Sequence, residues 1–159
     1  MSFNHFDDKG NAVMVDVSGK EPTLRTAVAA ALVRMKPETL GAVLERRTAK
    51  GDVFAVACLA GIAAAKRTPD LIPLAHPLAI HHAAIEFFPD AGTGEVRVES
   101  RVKAFERTGV EMEAMISVSI AALTIYDMCK GMDKGITIDT VELLSKEGGK
   151  SGPWKREGR

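Results

Sequence analysis

The sequence predicts an α+β domain in which helices cover one face of an antiparallel sheet. Three observations lead there. EVRVESRVKA, Glu95 to Ala104, alternates charge with valine at period two, as a strand does with one face in the core and the other outside. Ala114 to Tyr126 carries no charge and sets Val118, Ala122, Ile125 and then Met128 at the three- and four-residue steps of a buried helix face. Finally, helices and strands come in blocks: two helices, two strands, a long helix and a strand.

Taken in order, the first dozen residues, MSFNHFDDKGNA, are polar and expected to be mobile, which leaves 13–159 as one domain. They lack the apolar stretch of a secretory signal. Val13 to Val17 reads as a short strand, followed by a turn from Ser18 to Pro22. Thr23 to Met35, TLRTAVAAALVRM, is ambiguous: its alanines favour helix, while its alternate positions also fit a strand packed on one face. Pro37 opens a helix reaching Arg46, and Asp52 is placed to cap a second that runs to Lys66. DLIPLAHPL is a proline-punctuated loop into a strand at Ala79 to Phe88, and FPDAGTG is a hairpin connection. The charge-free part of the long helix is too short to cross a bilayer. ITIDTVELLSK gives the last strand, and EGGKSGPWKREGR is a glycine-rich basic tail.

At 159 residues the chain can bury a real core, and its 21 basic and 21 acidic residues cancel. That balance argues against a general binder of nucleic acid or membrane surfaces, so any basic site must be local. Cys58 and Cys129 lie in apolar helical surroundings without CxxC spacing, which suggests free thiols and a cytoplasmic protein.

Several patches could carry chemistry. Asp127 and Lys130 lie one helical turn apart, a spacing that suits either a solvated ion pair or two groups tuning each other's proton affinity. His76 precedes Pro77 on a stiff loop, where a structural and a functional role fit equally. Lys50 precedes Gly51 and the capped helix, where a cation and free helix N–H groups could meet a phosphate. Glu111 and Glu113 share a ligand only if the helix starts near Gly109. GGKSG is not a Walker A loop, because Leu144 stands where the first glycine is needed and Pro153 follows, but Lys146 and Lys150 can still contact phosphates. His81 and His82 point to opposite faces of a strand, and no third clustered ligand supports a metal site.

DLIPLAHPL, KGDVF, AGIAAAKRT, TGVEMEAM, ALTIYDMCK, DKG and GGKSG, in that order, resemble the molybdenum cofactor biosynthesis protein C family, the cyclic pyranopterin monophosphate synthases. The match spans about nine-tenths of the chain, from MVDVS to GGKSG. The resemblance implies a ferredoxin-like α+β subunit in a hexamer built as a trimer of dimers, with Thr23 to Met35 as a long strand. It implies a lyase that converts 3′,8-cyclo-7,8-dihydro-GTP into cyclic pyranopterin monophosphate and releases pyrophosphate, with no cofactor or metal. Carried over by position, Asp127, Lys130 and Lys50 match the catalytic residues. Leu74, Ala75 and His76, then Glu111, Met112 and Glu113, match substrate-contacting segments, and Lys146 and Lys150 match the basic end of the chain. Ala75, Glu106 and Arg107 depart from the family's frequent cysteine, glycine and lysine.

A triphosphate substrate needs several cations, which Arg25, Lys50, Lys146 and Lys150 supply. Pyrophosphate loss needs charge stabilisation at the leaving oxygens. Ring opening and closing need an acid and a base, a role suited to Lys50 or Lys130 if neighbouring cations or burial lower its pKa. The alternatives are a nucleotide-binding relative without turnover and a metal-dependent phosphohydrolase, the latter opposed by the scattered histidines. Because the implicated residues lie at both ends of a long helix and on the tail, the site is expected to span a subunit interface.

Overall fold

The computed structural model describes residues 9–158, so the first eight residues of the expected mobile segment lie outside the described residues. In order the elements are β1 (Thr23–Arg34), α1 (Pro37–Leu44), α2 (Val53–Ala65), α3 (Thr68–Leu71), β2 (His82–Asp90), β3 (Glu95–Glu106), α4 (Glu111–Cys129), β4 (Thr137–Glu147) and β5 (Trp154–Lys155). The sheet has the order β2-β3-β1-β4-β5 with every neighbouring pair antiparallel. Its first four strands with their helices form the split βαβ arrangement of a ferredoxin-like fold.

The alanine-rich segment becomes the central strand, against its helix propensity. β1 pairs along its length with β3 and with β4, and Ala27, Ala29 and Ala31 are at most 2% exposed beneath α4. Small side chains there let the helix lie close to the sheet, so tertiary pairing outweighs local preference. On the facing side of α4, Val118, Ala122 and Ile125 are fully buried and Met128 nearly so, as the helical spacing predicts.

Five local expectations change. Val13 to Val17 forms no strand; Val15 and Val17 are half-buried while their neighbours are exposed, an alternation that a chain laid over a surface shares with a strand. Both edges of β1 are already occupied, so this segment has no ladder to join there. The DLIPLAHPL loop begins inside the short helix α3, and Trp154–Lys155 adds a fifth strand. The second strand begins at His82 and runs on to Asp90, with Pro89 tolerated because β2 is an edge strand. Lastly, α4 extends beyond the charge-free stretch to 19 residues, long and apolar enough by length and composition to cross a bilayer. Here it packs against the sheet and α2.

Contact between α2 and α4 depends on Gly61, where a Cβ would come within 2.8 Å of the Ser117 carbonyl oxygen and 2.3 Å of Ile85 Cδ1. Gly61→Ala is therefore expected to force the helices apart and cost about 1–3 kcal/mol, the usual scale of overpacking. Urea unfolding of the variant checks this, and an unchanged midpoint would refute it.

Candidate active site

Asp127 stands in the last turn of α4 and Lys130 just beyond it. Lys50 arrives from the connection between α1 and α2, which is pinned at both sides: Thr48 Oγ1 donates to the Gly51 carbonyl, and Asp52 caps α2 by accepting from the Ala55 N–H at 3.0 Å. Lys50 Nζ donates to the Asp127 carbonyl at 2.8 Å and to Oδ2 at 3.1 Å, while Lys130 Nζ lies 2.7 Å from Oδ1. Each carboxylate oxygen thus holds one ammonium. The hydrogen bond from Lys130, then that from Lys50, keeps the Asp127 carboxyl below its ordinary pKa.

Lys130 moves the other way. Its bond to Asp127 pushes the ammonium above its ordinary pKa, opposite to the lowering expected from neighbouring cations or burial. The reason is that its nearest charge is a carboxylate and its side chain remains 53% exposed, so attraction outweighs desolvation. Lys50 and Asp127, whose assignment to one subunit or two the sequence leaves open, are brought into contact by a single chain.

At the other end of α4, about 24 Å away at a rise of ~1.5 Å per residue, lies a cavity of about 890 Å³. Arg25, His76, Glu111, Lys146 and Lys150 of the expected substrate-binding set line it. Glu111 pairs with Lys146 at 3.0 Å, and Lys146 reaches Ser151 Oγ at 3.4 Å. His76 Nε2 donates to the Val15 carbonyl at 2.8 Å, which fixes a proton on that nitrogen. Arg25 donates to the carbonyls of Glu106 and Arg107 at 3.1 and 3.2 Å. Its guanidinium lies so close to Gly149 that a Cβ there would sit 1.8 Å from Nη1.

Lys20 and Arg107 also line this cavity and were not among the expected binding residues. Lys20 had a legible signal, a lysine after glycine in the turn before β1. Glu106 has a visible role: its Oε1 accepts from the Ala79 N–H at 3.2 Å and so ties β3 to the segment following His76. Leu74, Ala75, Met112 and Glu113 are absent from the cavity lining. Leu74 and Ala75 are half-buried in the turn before His76, closed by Ala75 N–H to the Ile72 carbonyl at 3.0 Å, and Met112 is exposed on the outside of α4. Among the described residues no group of three or more His, Cys, Asp or Glu could hold a metal.

Glu113 is 3% exposed, and burial pushes its carboxyl from 4.5 up to about 7. Between those values the folded protein keeps a proton that the unfolded chain has released, so stability falls as pH rises through this window and levels off above about 7. Glu113→Gln is expected to abolish the fall and to stabilise the alkaline end by about 1–3 kcal/mol. Urea denaturation across this range checks it; parallel pH profiles for the two proteins would refute it.

Residues 14–149 match the MoaC family. The chain is 72% identical over 157 residues to a protein of Geotalea uraniireducens named cyclic pyranopterin monophosphate synthase, covering 99% of this chain and 98% of that one. It is 71% identical over the same length and coverage to the protein of that name from Geobacter metallireducens. A relative of the same name from Rhodospirillum rubrum is 57% identical over 150 residues, 94% of this chain and 90% of its own. By the extent and depth of these matches, the chain belongs to the MoaC family.

Proposed function

We propose that this chain is a cyclic pyranopterin monophosphate synthase, a lyase of molybdenum cofactor biosynthesis that converts 3′,8-cyclo-7,8-dihydro-GTP into cyclic pyranopterin monophosphate and pyrophosphate. The observation that carries the reading is the carboxylate of Asp127 held between the ammonium groups of Lys50 and Lys130 at 3.1 and 2.7 Å. Such a triad supplies a proton donor, an acceptor and compensating charge within one small volume. The cation-lined cavity supports binding of the polyphosphate end by Arg25, Lys146 and Lys150, with His76 beside them. In this reading Lys130 rests as the ammonium. It releases its proton only when Asp127 turns its charge towards Lys50 or the substrate. Incubating the purified protein with the cyclised nucleotide tests the activity; absence of both pyrophosphate and the pterin product would refute it.

The two halves lie at opposite ends of α4, so this reading joins the triad of one subunit to the cavity of a neighbour. The outer helical surface supports assembly, for which we propose the hexamer. α2 carries no charged residue, and Val56 and Leu59 on it stand 42% and 70% exposed, as Leu123 does at 53% on α4, the helix it packs against. Apolar surface of that kind marks an interface. Leu59→Glu is expected to dissociate the assembly, and sedimentation velocity checks it; an unchanged sedimentation coefficient would place the contact elsewhere. We place the enzyme in the cytoplasm, with the cyclised nucleotide as its small-molecule partner.

A further inference from the structure

The segment from Gly148 to Arg156 forms a clamp on the cavity that the reaction's chemistry does not itself require. The loop joining β4 to β5 carries Lys150 into the cavity, and Gly148, Gly149 and Gly152 hold φ values of +95°, +79° and +68°. Glycines give that path its shape but no stiffness. Its position is therefore set by its ends, and β5 pairs with β4 through only Ser145↔Lys155 and Lys146↔Trp154.

Arg156 extends this short ladder. β4 is bulged where Val28 pairs with Ser145 but Ala29 pairs with Leu143, leaving Leu144 without a partner on β1. The Leu144 carbonyl accepts from the Arg156 N–H at 2.8 Å, and the Leu143 carbonyl accepts from Arg156 Nε at 2.9 Å. Nε also lies 3.3 Å from Glu142 Oε2, and the guanidinium carbon sits 5.7 Å from the Trp154 ring centre. One residue thus ties the end of β5 to three successive residues of β4, through its backbone N–H at Leu144 and its side chain at Leu143 and Glu142.

We infer that Arg156 is a positioning residue for the polyphosphate end of the site. By fixing the far end of the glycine loop it sets where Lys150 stands, where Ser151 meets Lys146, and where Gly149 leaves room for the Arg25 guanidinium. The inference rests on the proposed reading that this cavity receives the substrate's phosphates. Arg156 does not line the cavity, so its effect passes through those cations.

The test uses the full chain, with inorganic pyrophosphate as the binding probe and the cyclised nucleotide as substrate. Arg156→Ala is expected to speed amide exchange at Gly148 to Gly152 and to raise both KM and the pyrophosphate Kd about tenfold, with kcat at saturation within about threefold of the parent. If that variant does not fold, Arg156→Gln, which keeps the stem and a donor but not the charge, is read for the same split. Unchanged loop exchange overturns the inference, as does faster exchange with unaltered KM, or a fall in kcat at constant KM as from a smaller active fraction. Failure of the parent protein to bind pyrophosphate would show separately that the phosphate reading of the cavity is wrong, and the inference would fall with it before any variant was compared.

Discussion

Lys130→Ala is expected to fold, assemble and bind the cyclised nucleotide, yet to lose turnover by on the order of a hundredfold or more, the usual scale of general acid–base contributions. Geometry alone would permit a weaker outcome. Lys130 and Asp127 are an i,i+3 pair with side chains 53% and 57% exposed, and a solvated pair of that kind contributes little to stability. Asp127, however, also holds Lys50 on its second oxygen, an arrangement a simple surface bridge does not need. Lys130→Arg separates the two roles, because guanidinium keeps the charge but does not readily release a proton. It is expected to be nearly as slow as the alanine variant. Single-turnover product formation and substrate binding for both variants decide the matter: near-normal turnover in Lys130→Arg would reduce Lys130 to a fixed charge and move proton transfer to Lys50.

Mixed oligomers give the second large effect. Lys50→Ala and Lys146→Ala, each inactive alone, are expected to regain activity when their subunits exchange, because the two positions lie at opposite ends of α4 and meet only across an interface in the proposed site. Random exchange of equal amounts would restore about a quarter of the sites, those receiving an intact residue from each side. Lys50→Ala mixed with Asp127→Ala should regain the same fraction only if these residues serve different sites. Since Lys50 Nζ touches the Asp127 carboxylate within one chain, no recovery is expected there. Activity measured after verified exchange distinguishes the cases, and silence from the Lys50–Lys146 mixture would contradict a site shared between subunits.

Much of this was legible in the chain itself. The period-two valines of β3 and the charge-free face of α4 follow from covalent geometry that any sequence of this pattern shares, and burial in the fold agrees with both. Asp52 as a helix cap is equally local, since its side chain reaches an N–H three residues on. The long ordered motifs identified the family and marked Asp127, Lys130 and Lys50 together. Spacing alone left each of them open.

Other features required the folded chain. Alanines that favour helix in isolation become the central strand because β3 and β4 supply its hydrogen bonds and α4 needs a small-residue surface beneath it. Val13 to Val17 alternates like a strand but finds no free edge of β1, and Trp154–Lys155 becomes one because β4 offers an edge to it. The direction of the Lys130 pKa shift follows from its hydrogen bond to Asp127, and although sequence places that carboxylate one turn away, it cannot tell whether a cation or burial outweighs it until the side chains are placed. The chain by itself determined the elements whose patterns are local and the family, and named the residues expected at the site. Only the tertiary structure decided which strand became central, that Lys50 reaches Asp127 within one subunit, and that the remaining cations gather a helix length away, because pairing and charge proximity are long-range and leave no periodic trace in the sequence.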